Sequence, residues 1–96
     1  MSEPVIGNLP PYTWSSEESV AYEAAIEAIN GVVGAYSGLI TEAEERGSTD
    51  EVADLSRRRA ACQQERRGLK ADNTEEIARV RATYATRLRE LTGNDA

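Results

Sequence analysis

Residues 15 to 46 carry the clearest pattern in the chain, because as one α-helix they sort their side chains into three sectors. Large apolar residues recur at steps of three and four, on one side of a 3.6-residue helix. These residues are Tyr22, Ile26, Ile29, Val32, Val33, Tyr36, Leu39 and Ile40. Small residues follow a neighbouring strip, namely Ala21, Ala24, Ala28, Gly31, Ala35 and Gly38. The pattern predicts one helix with two buried faces and a third, polar face.

Asn30-Gly31 is the weak point of this helix, because Asn-Gly commonly ends helices and Gly34 and Gly38 follow it. Each glycine inside a helix costs about 1 kcal/mol relative to alanine. One explanation is a break at Asn30-Gly31. The other is close packing, since glycine and alanine let a second helix backbone approach. The sectors keep their phase across Asn30-Gly31, which favours a continuous helix.

A second apolar seam follows Gly47-Ser48, where Ser48 and Glu51 have the spacing of a capping box. Its members, again at steps of three and four, are Val52, Leu55, Arg59, Cys62, Arg66, Leu69, Asn73, Ile77, Val80, Tyr84, Leu88 and Leu91. The unbroken phase predicts one helix from about Thr49 to Thr92. The alternative is a turn at residues 72–74, where Asn73 and Glu76 also have capping-box spacing.

The expected fold is all-α. A turn as short as Gly47-Ser48 requires the flanking helices to lie antiparallel, with position i opposite roughly position 95 minus i. Residues 15–92 would form a helical hairpin, or a three-helix bundle if the second helix breaks near 72–74. The proline-containing residues 1–14 are expected to form an extended arm that packs on the helices, and residues 93–96 a frayed end.

The first helix has more apolar surface than one hairpin contact can bury, which is typical of a protein interface. The simplest solution is a homodimer that forms a four-helix bundle. The predicted interface residues are Ala21, Ala24, Ala28, Gly31, Val32, Ala35, Gly38 and Leu39. We therefore expect a non-enzymatic interaction module with a protein partner or a second copy: an adaptor, an inhibitor or immunity-type protein, or an assembly component.

Composition narrows this prediction. With 96 residues and no Phe, the chain is one domain with a small core. A net charge of −6 argues against generic binding to nucleic acid or anionic membranes. No apolar run approaches a signal-peptide core or a membrane span, so the expected location is the cytoplasm, with signal-less export still open. Ten Arg against one Lys, with abundant Ala, indicates a GC-rich bacterial genome.

Catalytic chemistry finds no support in the sequence. The absence of His excludes His-type metal sites and Ser-His-acid triads. The single Cys62 has no second Cys and no His to activate it, and is typical of a small core residue in a reducing compartment. No glycine-rich phosphate loop is present. We therefore expect no catalytic residue, metal or cofactor.

Arg59 and Arg66 lie on the second seam, where charge is unusual. Their stems would pack, and their heads would reach acids of a neighbouring helix or stack on Tyr36, which fixes the register of the helices. The alternative is that they grip a phosphate-bearing ligand between two hairpins, as in a nucleotide- or nucleic-acid-binding regulator. The candidate residues for either role are Tyr36, Ser56, Arg59, Gln63 and Arg66.

The chain resembles two known families, one in its overall plan and one in the seam that carries Arg59. In size and hairpin plan the chain resembles a family of small secreted helical hairpins with Trp-x-Gly in the turn, although the turn here is Arg46-Gly47-Ser48. That family also has a C-terminal Tyr-x-x-x-acid signal, whereas Tyr84 is followed four residues later by Leu88.

The second resemblance lies in the seam itself. Ser56-x-x-Arg59-x-x-x-Gln63 is similar to the middle of the cyclic-di-GMP-binding motif of a family of helical-hairpin anti-sigma factors. That family has acids four residues to either side, where this chain has Val52 and Arg67. The resemblance implies nucleotide binding through the three matching residues.

Overall fold

A computed structural model describes residues 16–93, which form three α-helices. Helix α1 spans Ser16–Glu45, α2 spans Thr49–Gly68 and α3 spans Thr74–Thr92. The all-helical prediction is confirmed. The expected N-terminal arm and the last three residues of the expected frayed end lie outside the described residues.

Helix α1 runs unbroken through Asn30-Gly31, so the prediction of a continuous first helix is confirmed. It ends at a Schellman turn, in which Gly47 takes a left-handed φ of +72°. The Ser48 amide bonds the Ala43 carbonyl at 2.9 Å and the Gly47 amide bonds the Glu44 carbonyl at 3.0 Å. The turn therefore satisfies carbonyls that the helix end would otherwise leave free.

The capping box predicted at Ser48 is not formed as expected. The Ser48 side chain makes no capping hydrogen bond to the start of α2. Glu51 pairs instead with Arg46, which lies on the other side of the turn. The charge of the nearby arginine offers the carboxylate a stronger partner than a neutral backbone amide.

The prediction of one helix from Thr49 to Thr92 is wrong. The chain leaves the helix after Gly68, where Leu69 is extended with φ −76° and ψ 130°. It enters α3 at Asn73, whose side chain accepts a 3.2 Å hydrogen bond from the Glu76 amide. A cap of this kind contributes about 1 kcal/mol. Local end signals therefore outweigh the unbroken phase of the seam, and residues 16–93 form three helices.

Helix α1 contacts both other helices, whereas α2 and α3 have no close backbone approach to each other. Against α1, α2 is antiparallel: Arg59 Nη1 donates to Ser37 Oγ at 2.9 Å and Arg66 donates to Asn30 Oδ1. Both pairs place position i opposite 96 minus i, one residue from the predicted register.

Helix α3 returns along α1 in the parallel direction. Its first residue, Thr74, lies beside Glu17, near the start of α1. Further along, Leu88 lies against Gly31, where a Cβ would sit 3.4 Å from Leu88 Cδ2. Helix α3 therefore covers the first half of α1.

The core lies along α1, where it meets the other two helices. Its buried members are Ala25, Ile29, Val32, Tyr36, Cys62, Leu69, Ile77, Val80 and Tyr84. Both apolar faces predicted for α1 thus find partners within the chain, one in α2 and the other, in part, in α3.

Helix α1 is long and apolar enough to cross a membrane, by length and composition alone. The expectation that no apolar run approaches a membrane span is therefore wrong by this measure. The central helix of a folded domain passes the same test. In this structure 28% of the apolar stretch is buried by the chain itself, including Ile29 and Val32 in the middle of α1.

Candidate interaction surface

The structure places the predicted interface residues in different surroundings. Val32 has no exposed surface, so its assignment to an interface is corrected: it belongs to the core. Gly31 is half-buried, and a Cβ added there would come within van der Waals contact of Leu88, so this position faces α3 of the same chain. Gly38 is exposed, and a Cβ added there would have no neighbour within 4 Å, while Ala35 and Leu39 are half-buried.

Two of the remaining small residues of α1, Ala24 and Ala28, line an open groove between α1 and α3. We call this surface the alanine groove and define it by Ala24, Ala28, Ala78, Ala82 and Ala85, with Arg81 at its edge. The short side chains leave a depression where two helix surfaces meet. The three alanines of α3 are exposed. Close to the groove, one helical turn before Ala24, Val20 is 66% exposed.

Sequence reasoning found only half of this groove. Ala78, Ala82 and Ala85 recur at steps of four and three, which is the same signal that revealed the strip on α1. If residues 74–92 form the far end of one long helix, away from α1, this repeat gives no indication of a surface shared with α1. Once the chain turns at residues 69–73, the two strips lie side by side.

At one end the groove meets a second depression, near the beginnings of α1 and α3. It is lined by Glu17, Glu18, Ala21, Thr74, Ile77, Ala78 and Arg81. Its wall combines apolar surface with acids from α1 and a base from α3. Together the two depressions offer apolar contact and a charged margin, which is the composition of a small protein-binding surface.

A polar cluster joins α2 to α3 on the other side of the molecule. The Tyr84 hydroxyl donates to Glu65 Oε1 at 2.6 Å, and Arg79 bonds both Glu65 and Glu76. Arg87 lies with its guanidinium carbon 4.7 Å from the centre of the Tyr84 ring. Its Nη1 is 3.8 Å from Cys62 Sγ. Because the two helix backbones stay apart, these side chains are what links α2 to α3.

The charges of this cluster shift two pKa values in opposite directions. The hydrogen bond from Tyr84 and the nearby Arg79 guanidinium lower the pKa of Glu65, against the opposing effect of partial burial. Burial and the hydrogen bond to the Glu65 carboxylate raise the pKa of Tyr84. The cluster is therefore held in one charge state, ionised Glu65 with neutral Tyr84, across neutral pH.

We expect Glu65→Gln to weaken the acid dependence of stability. A carboxyl whose pKa is lowered by folding stabilises the fold above its unfolded value of about 4.5. That contribution disappears as the pH falls through the folded-state pKa. Urea unfolding at pH 7 and pH 3 should show a smaller stability difference for Glu65→Gln than for the natural chain. Glu27→Gln, at an exposed carboxylate on the polar face of α1, is the control; an equal change in both variants would contradict the prediction.

Both arginines of the seam form hydrogen bonds with neutral side chains of α1. Arg59 bonds Ser37 and Arg66 bonds Asn30, rather than acids or the face of Tyr36. Tyr36 itself is buried at 4% exposure. The remaining candidates, Ser56 and Gln63, are half-buried on α2. The contacts of both arginine heads fix the axial position of α2 on α1.

Comparison with known proteins adds no further partner or chemistry. The chain matches no family model, no curated protein and no solved structure. Across residues 16–93, no group of three or more Asp, Glu or Cys side chains is arranged to hold a metal ion. The alanine groove remains the surface with the clearest capacity for binding.

Proposed function

We propose that this chain is a non-enzymatic helical interaction module that self-associates through the alanine groove. The observation that carries the proposal is the groove itself, an exposed apolar surface built by small residues of two helices. Small side chains let a further helix approach closer than the usual 8 to 10 Å or so. Exposure of this apolar surface to water is unfavourable, so burying it against a matching surface lowers the free energy.

In this proposal the three helices act as one bundle, and two copies meet groove to groove. The pair α1 and α3 of one copy faces the same pair of the other, which gives a four-helix arrangement at the interface. This differs from the four-helix bundle expected from the sequence, where the second helix of each hairpin would take part. The strip on α1 continues past the groove through Ala35 and Gly38, which would extend the contact.

The proposed cellular role is that of an adaptor, an inhibitor or immunity-type protein, or an assembly component, and the proposed location is the cytoplasm. The alternative role in nucleotide or nucleic-acid binding is not favoured by the contacts of its candidate residues. Arg59 and Arg66 are occupied by Ser37 and Asn30, and breaking these bonds would oppose ligand capture. We assign both arginines to helix register instead.

We expect Ala85→Glu to lower self-association at least tenfold, because it places a charge on the floor of the groove. The variant should stay folded, since Arg81 and Arg89 lie four residues away on either side and can pair with the new carboxylate. Light scattering coupled to size-exclusion chromatography, from micromolar to millimolar concentration, measures the effect.

The matched control is Ala60→Glu, which places the same charge on an exposed alanine of α2 outside the groove. Its association should equal that of the natural chain. A natural chain that stays monomeric over the whole concentration range would end the self-association proposal. Equal association of the two variants would show that the interface lies elsewhere.

A further inference from the structure

We propose that two copies of this chain exchange α3, with α2 and α3 joined into one continuous helix. This inference rests on the proposed self-association and names a second contact that can join two copies, distinct from the alanine groove. In the exchanged dimer, α3 of each copy would lie on α1 of the other copy. Each half of the dimer would then contain the same three packed helices as the single chain.

The first observation is the phase of the seam. The seam keeps its helical phase from Leu69 to Ile77, which lie two steps of four apart with the polar Asn73 between them, as they would in one helix. The structure buries or half-buries the seam residues on both sides of the break, while Asn73 is exposed. A single helix over residues 49–92 would therefore present one uninterrupted seam.

The second observation is the chemistry of the connector. Residues 69–73 contain no Pro and no Gly, and within residues 16–93 the glycines with positive φ are at positions 47 and 93. Leu69 and Asn73 have φ values of −76° and −93°, and the helix requires a change mainly in ψ. Straightening the connector would exchange one cap and two turn hydrogen bonds for a continuous ladder of helical bonds.

The third observation is how α3 is held. It packs on α1 and touches α2 through the side chains around Glu65, with no close backbone approach between α2 and α3. Released from its own α1, α3 would expose Ile77, Val80 and Tyr84, which are 2% exposed or less. The surface that fits these residues is α1 of a second copy together with its α2, since the pair repeats every contact that was lost.

Exchange of an identical element is a low-cost route to a dimer, because it creates few new contacts and loses few old ones. The equilibrium between the single chain and the exchanged dimer then depends mainly on the conformation of residues 69–73. On this account Asn73 acts against exchange by capping α3, while the seam favours it.

Thr74→Pro tests the proposal. Thr74 is the first residue of α3, where proline is well tolerated. In a continuous helix the same proline would remove a hydrogen bond and clash with the preceding turn. We expect Thr74→Pro to lower dimer association by about a hundredfold or more with unchanged helix content by circular dichroism. Thr74→Ala is the control at the same position and should leave association within a few fold of the natural chain.

Asn73→Ala should act in the opposite direction. Loss of the cap weakens the single-chain form and should raise dimer association by about tenfold. Sedimentation equilibrium of the variants and the natural chain gives these constants. Equal association of Thr74→Pro and the natural chain would overturn the exchange.

A mixing experiment detects the exchange directly. Glu65→Arg and Arg79→Glu each break the pair between α2 and α3. In a mixed exchanged dimer, one half regains the natural pair and the other gains the reversed pair. The two variants should therefore form mixed dimers a few fold more often than random pairing predicts, measured by native mass spectrometry. Random pairing would contradict the exchange.

These results separate the two proposals. A natural chain that is monomeric ends self-association and the exchange with it. A dimer that survives Thr74→Pro but is lost in Ala85→Glu supports the groove and rejects the exchange. A dimer lost in Thr74→Pro but kept in Ala85→Glu supports the exchange and rejects groove-to-groove contact.

Discussion

Replacing Tyr84 with alanine is expected to lower the free energy of unfolding by about 3–5 kcal/mol. Tyr84 is the largest fully buried side chain among the described residues, with 1% exposure. Its ring packs in the core, and its hydroxyl supplies one of the bonds that join α2 to α3. Alanine would leave a cavity and remove that bond, which is a large loss for a small domain whose total stability is about 5–15 kcal/mol.

Tyr84→Phe separates the two contributions. It keeps the ring and removes the hydroxyl that donates to Glu65. A hydrogen bond to a charged acceptor contributes about 1.5–3 kcal/mol, so the phenylalanine variant should lie between the natural chain and Tyr84→Ala. Urea unfolding followed by circular dichroism measures all three chains. A loss below about 1 kcal/mol for Tyr84→Ala would contradict the packing of α3 described above.

Val32→Asp is expected to unfold the chain rather than to dissociate a dimer. Val32 has no exposed surface, and an unpaired carboxylate at that position costs several kcal/mol. Circular dichroism should show loss of helix at neutral pH and low protein concentration. The same residue at an interface would give a folded monomer, so the experiment decides between the observed core position and the position expected from sequence.

Val20→Asp is the matched control for this change. It makes the same substitution in the same helix at a valine that is 66% exposed. Its unfolding free energy should stay within about 0.5 kcal/mol of the natural chain. A similar loss in both variants would indicate that aspartate disturbs α1 generally.

The sequence predicted α1 well because a long repeat at steps of three and four leaves little choice of structure. It identified the apolar side that receives α2, and it marked the small strip as a contact surface, although it assigned that strip to a partner and not to α3. It also placed Arg59 within one residue of its partner on α1. These predictions depend on helical geometry, which is local and therefore readable from one chain.

The turn before α3 was harder, because two local signals disagreed. The seam continues in phase through Asn73, while Asn73 with Glu76 has the spacing of a cap. The periodicity of the seam shows that its residues would share one face of a helix. It does not show whether the chain is more stable when it turns back and packs on α1. That gain comes from covering α1, and it depends on contacts between residues far apart in sequence, such as Gly31 with Leu88.

The error at the turn then carried over to the candidate surface. With residues 74–92 placed away from α1, Gly31 and Val32 were assigned to a partner, although α3 contacts Gly31 and the chain itself covers Val32. The alanines of α3 were not connected to those of α1 for the same reason. A surface made by two elements is visible from sequence only after their arrangement is known.

The central position of α1 also limits which partly unfolded states the chain can populate. Because α2 and α3 meet through a few side chains alone, they have no backbone-level interface with which to persist as a pair. Local openings can detach either outer helix while the other stays on α1. Unfolding of α1 removes the docking surface of α2 and α3 at once. The two outer helices therefore unfold cooperatively only when α1, the first 30 described residues, unfolds.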